Sequence, residues 1–126
     1  GDFYIGNAPI TELPEDLWVG GELNLEDTSI VKLPSRLVVG GNLVMYDTLV
    51  TELPEELEVG GNFFITTKHN LEVKPPKRFT VQGALYCCAH IKKFPGGAKV
   101  GDRLYLPQTP IITLPEGFYS NGATNQ

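Results

Sequence analysis

Cys87, Cys88 and His90 form the densest group of nucleophilic or metal-ligating side chains in the chain. Thiolates and imidazoles bind zinc, but a closed structural site takes four ligands in a tetrahedron. Alternation along a strand puts Cys88 and His90 on one face and Cys87 on the other. That leaves two ligands, or three if His69 comes near, so no metal or other cofactor is expected. A Cys–His nucleophile pair would also need an orienting partner and an oxyanion site, and neither is visible in the sequence. Cys87 reads instead as a small core residue.

The acidic residues point the same way. Glu15-Asp16 and Glu55-Glu56 sit at equivalent places of a recurring motif. Repetition with the motif marks them as turn-surface residues rather than a general acid and its base. The glycines are never followed by Lys and Ser or Thr, as a phosphate-cradling loop requires. Lys74-Pro75-Pro76-Lys77-Arg78 is a basic turn, read as a solvated insertion or as a contact for an anion. Nothing here assembles an active site, and the expectation is a non-catalytic protein.

The elements that hold these residues come from a repeat, and internal repetition decides fold before any local propensity does. Val19-Gly20-Gly21 recurs as Val39-Gly40-Gly41 and Val59-Gly60-Gly61. Leu13-Pro14 recurs as Leu33-Pro34, Leu53-Pro54, Phe94-Pro95 and Leu114-Pro115. One unit reads V-G-G-x-L-x-L-x-x-T-x-I-x-x-L-P-x-x-L-x. Full units begin at Val19, Val39, Val59, Val81 and Val100, after a partial unit over residues 1–18. The third carries a small insertion near His69-Asn70 and Pro75-Pro76, and the fourth is one residue short near His90.

A unit of about 20 residues is too short for a helix-turn-helix repeat. Pro and Gly-Gly also punctuate each unit, leaving few or no helices. The x-L-x-L-x stretch alternates as a half-buried strand does. Leu23/Leu25, Leu43/Met45, Phe63/Ile65, Leu85/Cys87 and Leu104/Leu106 are expected to point inward. The Val of each corner, the Ile column, the Leu of Leu-Pro and the next Leu should close the core from other sides. One coil cannot bury these residues alone, so the coils must stack. The expected fold is mainly β: a right-handed solenoid of about six coils over residues 1–119, starting near 1, 19, 39, 59, 81 and 100. Residues 120–126 read as a flexible tail or linker. The glycines should serve a corner by φ > 0 and close coil-to-coil approach. The Thr column (Thr28, Thr48, Thr109) should satisfy turn backbone or stack into a ladder. Trp18 should pack on the side opposite the strands.

The stretch L-x-L-x-x-T-x-I-x-x-L-P-x-x-L resembles the leucine-rich repeat, with Thr in place of the usual Asn. The Leu-Pro-x-x-Leu part is similar to the short repeats of bacterial leucine-rich-repeat proteins, and the likeness spans residues 1–119. The resemblance implies a curved solenoid whose strand face binds macromolecules, usually proteins. The Val-Gly-Gly corner departs from that pattern and leaves a triangular parallel β-helix as the alternative.

Alternation also names the outer face. Between the inward pairs lie Tyr4, Asn24, Val44, Phe64, Tyr86 and Tyr105. The next outward positions are Gly6, Glu26, Tyr46, Thr66, Cys88 and Pro107. Parallel strands stack about 4.8 Å apart, so the rings of Tyr4, Tyr46, Phe64, Tyr86 and Tyr105 would form a stripe about 25 Å long. Two readings compete. Aromatic residues suit strand surfaces and pair across strands; they are also enriched at binding hot spots. On the second reading the face binds a protein partner, with a glycan as the alternative. Glu22, Glu26, Asp27 and Asp47 border one end and suit a partner with basic character there, or simply solvate the surface.

Charge separates along the chain. Residues 1–63 carry twelve acids and two bases; residues 64–126 carry three acids and eight bases. The net charge of −5 argues against a nucleic-acid partner. No apolar run approaches the roughly 18 residues of a membrane span. No signal peptide is visible, and two adjacent cysteines are poorly placed to bond to one another. Both features lean towards a reducing, cytoplasmic setting, although a chain opening on Gly reads as processed or excised. Open end coils and the charge polarity would also suit end-to-end contact between copies.

Overall fold

The computed structural model describes residues 13–26, 28–67, 72–88, 91 and 98–105, and the backbone of three terminal strands at 3–4, 119–120 and 124–125. Alternation and punctuation together dictate the local structure. Each unit has two short apolar-alternating runs separated by the Gly-Gly corner, and each run becomes a strand. The first runs give β1 (Phe3–Tyr4), β3 (Leu23–Asn24), β5 (Leu43–Thr48), β7 (Phe63–Thr67), β9 (Leu85–Cys87), β11 (Leu104–Tyr105) and β13 (Thr124–Asn125). The runs leading into the corner give β2 (Leu17–Val19), β4 (Arg36–Val39), β6 (Glu56–Val59), β8 (Arg78–Val81), β10 (Lys99–Val100) and β12 (Tyr119–Ser120).

Odd strands form one parallel sheet of seven, in the order β1-β3-β5-β7-β9-β11-β13. Even strands form a second parallel sheet of six, in the order β2-β4-β6-β8-β10-β12. Every strand pairs with its equivalent one unit away. Leu43, Phe63, Leu85 and Leu104 are in register in the first sheet, and Val39, Val59, Val81 and Val100 in the second. A third side runs between the sheets at the Leu-Pro stretch. There Glu52 bridges Lys74, and the Lys74 amide donates to the Thr51 carbonyl at 2.8 Å. The chain is therefore an all-β solenoid, and no helix occurs among the described residues.

The coil count differs slightly from the expectation. The solenoid makes about four turns rather than six, with short strands extending the sheets at either end. A strand sheet on a second side is the arrangement the triangular alternative anticipates. The segment expected as a tail contributes Ser120 to β12 and Thr124–Asn125 to β13, paired with β10 and β11; the rest of it lies outside the described residues.

The core lies between the two sheets and the third side. Leu23, Leu25, Leu43, Met45, Phe63, Ile65, Leu85, Cys87 and Leu104 are all fully buried from the first sheet. Val39, Val59, Val81 and Val100, with Leu37, Leu57 and Phe79, fill it from the second. Ile30, Val50, Val73 and Ile91, with Leu33 and Leu53, close the third side. Each such side chain contributes roughly 1.5–3 kcal/mol when fully buried. The 22-residue unit leaves the sheets undisturbed: Glu56 meets Arg78 and Phe63 meets Leu85, so register resumes after the insertion.

The corner glycines are required for one of the two reasons expected. Their φ angles lie outside the left-handed region. A Cβ on Gly60 would strike the Gly40 carbonyl, and one on Gly40 would strike that of Gly20. Close backbone approach between coils selects glycine here. The left-handed φ values fall instead on Asp16 (53°) and Asp47 (55°), a residue type that tolerates this region. Asp47 lies in the irregularity between Met45 and Thr48, where β5 and β7 slip register.

Candidate functional site

The outer surface of the seven-stranded sheet carries a contiguous set of half-buried rings. Strand alternation turns Phe64, Tyr86 and Tyr105 outward because Phe63, Leu85 and Leu104 turn in. Register then places the three rings one above another. Phe64 and Tyr86 stack with centroids 4.8 Å apart and planes 5° from parallel. Tyr86 and Tyr105 repeat this at 4.8 Å and 10°. Tyr46, from the neighbouring outward column, leans on Phe64 at 5.8 Å and 50°. All four rings are half-buried.

This geometry decides which part of the rings is accessible. Tyr86 has a ring against each face, so its exposed surface is its edge and its hydroxyl. Ring edges carry the positive side of the aromatic quadrupole. A ligand that needs a free ring face finds none at Tyr86.

Charged groups mark both ends of the stack. At one end the Arg103 guanidinium donates to the Tyr105 hydroxyl at 3.0 Å, and this bond, with the Tyr105 and Asp102 charges, raises Arg103 above its ordinary value. At the other end Glu26 is exposed and has no ion-pair partner among the described residues. The Tyr46 hydroxyl is pushed above the ordinary tyrosine range, first by burial and then by the charges of Glu26, Cys88 and Tyr86.

Other expected contact residues have structural tasks. Val44 was expected on the open face but is only 8% exposed. A short side chain in register between Asn24 and Phe64 has little surface left to show. Asn24 uses its Oδ1 to accept the Glu26 amide at 2.9 Å. Thr66 accepts the Asp47 amide at 2.8 Å through its hydroxyl, which anchors the strand irregularity. Glu22 accepts from Asn42 Nδ2 at 3.4 Å. The backbone of Tyr4 is in β1, in register with Asn24.

Glu22 belongs to a feature that the sequence reading missed. The residue after each corner pair (Gly-Gly in three coils, Gln82-Gly83 and Gly101-Asp102 in the next two) forms a column: Glu22, Asn42, Asn62, Ala84, Arg103. Asn42 Oδ1 accepts the Asn62 amide at 2.8 Å, and Asn62 Oδ1 accepts the Ala84 amide at 2.8 Å. The signal was present as Gly-Gly-Asn at 40–42 and again at 60–62. The Thr column behaves as a turn device. Thr28 Oγ1 accepts the Ile30 amide at 3.4 Å, and Thr48 donates to the Thr66 carbonyl at 3.5 Å. Thr109 lies outside the described residues.

Trp18 corrects its expectation. It sits on β2, away from the aromatic face, but it is 69% exposed and not packed. Of the Cys–His group, Cys87 is buried and Cys88 exposed, and neither is in a disulfide. His69 and His90 lie outside the described residues, as do Gly6, Asp27 and Pro107. Among the described residues no three His, Cys, Asp or Glu side chains converge on a metal position. The basic turn is held by its neighbours: Lys74 pairs with Glu52 at 3.6 Å and Lys77 with Glu55 at 3.8 Å.

The fold places the chain among β-solenoid repeat proteins. No family model matches the sequence, and no curated protein or solved structure is detectably similar to it. The likeness to leucine-rich repeats thus rests on the repeat pattern alone.

Proposed function

We propose that the protein is a non-catalytic binding scaffold that contacts a protein partner through the outer face of its seven-stranded sheet. The observation that carries this is the half-buried ring column of Tyr46, Phe64, Tyr86 and Tyr105. Contiguous exposed aromatic surface on a rigid sheet offers apolar contact area at low ordering cost. The stacked coils hold the rings in fixed positions, so little side-chain freedom is lost on contact.

The edge-on presentation of Tyr86 favours a protein over a glycan. Sugars stack on ring faces, and both faces of this ring are already taken. The test is selection from a displayed peptide library, run beside a glycan array. Wild-type protein and a Tyr46→Ala, Phe64→Ala, Tyr86→Ala variant serve as bait and counter-bait. Peptides retained by the wild type alone support the face assignment. Equal retention by a folded triple variant removes it, and glycan-only binding moves the function to the other ligand class.

A further inference from the structure

The aromatic face is bipolar, and its two ends are fixed by different charges. Glu26 follows β3, whereas Glu22, at the start of the corner column, precedes it. Arg103 precedes β11 and ends the same column. Between them lie β5, β7 and β9, with Phe64 central. Four strand-to-strand steps, about 19 Å at 4.8 Å per step, and four residues along the strand, about 13 Å, separate the two charges, which therefore lie about 23 Å apart on a diagonal of the face. An extended peptide rises about 3.3 Å per residue, so roughly seven residues span that distance.

The size of the face restricts the occupant. Five strand widths by about three outward residues give roughly 24 Å by 10 Å. That is a fraction of the roughly 800 Å² per partner in a stable interface between folded proteins. A two-fold copy of this chain would satisfy the polarity, with Glu26 over Arg103 at both ends. It would still be confined to the same small face. A single extended segment matches both the area and the charges.

We propose that the face takes one extended peptide laid diagonally across its strands, with a basic residue over Glu26, apolar residues over the ring edges and an acidic residue beside Arg103. The inference rests on the binding-scaffold reading and adds the chemistry of the partner. Glu26 has no ion pair among the described residues. Arg103 spends one donor on the Tyr105 hydroxyl, which leaves guanidinium donors for a carboxylate. The ring edges between them suit backbone carbonyls and aliphatic side chains.

The probe is a capped synthetic peptide with lysine, six residues drawn from threonine and isoleucine, then aspartate. Control peptides replace the lysine by glutamine, the aspartate by asparagine, or both. Binding is read by fluorescence anisotropy against wild type, Glu26→Lys, Arg103→Glu and the triple alanine variant. The bipolar peptide should bind roughly three- to tenfold more tightly than either half-neutral control, and the gap should close in about 1 M salt. Glu26→Lys should lose that advantage and regain it with a peptide bearing glutamate in place of lysine. Equal binding of all four peptides to wild type, lost in the triple variant, would overturn the charge inference and keep the face. Equal binding to wild type and the triple variant would overturn both. Absence of any peptide binding overturns the inference, and Tyr86-dependent self-association in sedimentation would make a second copy the occupant.

Discussion

Asn62 fills the space that Gly83 leaves empty: its Oδ1 accepts the Ala84 amide at 2.8 Å, and a Cβ on Gly83 would collide with that same oxygen. Asn42 and Gly61 repeat the relationship one coil earlier. The corner glycines thus do more than let backbones approach. They open a slot in which the side chain from the coil below satisfies the amide above. Between these corners the ladder hydrogen bonds continue, with the Gly61 amide on the Gly41 carbonyl and the Gly83 amide on the Gly61 carbonyl, each at 2.9 Å.

Asn62→Ala should therefore cost stability out of proportion to the contact it removes. Ala84 is buried, so its amide would be left without a partner, at about 1–3 kcal/mol. Gly83→Ala should also destabilise, by displacing the Asn62 side chain and by crowding the Gly61 carbonyl. The two changes share one slot, so the double variant should cost less than the sum of the singles. Urea denaturation midpoints of the four proteins measure this, and strict additivity would show that the slot is not shared.

Phe63 and Phe64 are chain neighbours with opposite fates. Phe63 is 1% exposed and meets Phe79 edge-on at 6.1 Å, whereas Phe64 stacks outside on Tyr86. Phe63→Ala should cost about 3–5 kcal/mol through the cavity it opens. Phe64→Ala should cost little beyond the ring pairing itself, roughly 0.5–1.5 kcal/mol per pair lost. The same denaturation experiment ranks them, and a larger loss at Phe64 would reverse the assignment of inside and outside.

Much of this was legible in the sequence because alternation and unit repetition act together. Leu43, Phe63 and Leu85 could be placed inside from their spacing alone, and stacked coils then forced Phe64 over Tyr86. The ring stack followed from register. The second sheet was harder to read. Strands such as Arg36–Val39 show only two inward residues, and their outward positions vary from Trp18 through Val38 to Glu58 and Thr80. Trp18 was misplaced for a related reason, since a large apolar side chain in an outward column looks like a core residue until the sheet is known. The Asn ladder was missed because its partner is a missing Cβ one coil's worth of chain away, which no local pattern announces.

The hydroxyl of Tyr46 links the candidate face to pH. Its raised pKa means that the folded protein holds the phenolic proton more tightly than the unfolded chain, whose value is near 10.0. That contribution is fully present below the unfolded value and is lost as pH rises through the folded one. Wild type should therefore lose stability more steeply than Tyr46→Phe as pH rises above about 10. Denaturation midpoints across that window test it. Parallel curves would mean that burial and the Glu26 charge exert no net hold on the proton.

Charge alternation up the second sheet yields the last prediction. Arg36, Glu56 and Arg78 are stacked in register on three successive coils, with Arg36 Nε 4.0 Å from Glu56 Oε2. Both side chains of that pair are about half exposed, so the pair itself should contribute no more than about 1 kcal/mol. Glu56→Gln should accordingly shift stability by under about 0.5 kcal/mol. Glu56→Lys is a different case, because it puts three cations in one column with neighbours roughly 4.8 Å apart along the stack. Two attractions become two repulsions, and the loss should approach about 1 kcal/mol at low ionic strength. Salt screens exposed charges, with a Debye length near 3 Å at about 1 M. The lysine variant should then recover to the level of the glutamine variant in denaturation at that salt. A deficit that persists in high salt would trace to packing of the lysine stem, and no deficit at low salt would mean that these coils do not use charge to choose their neighbours.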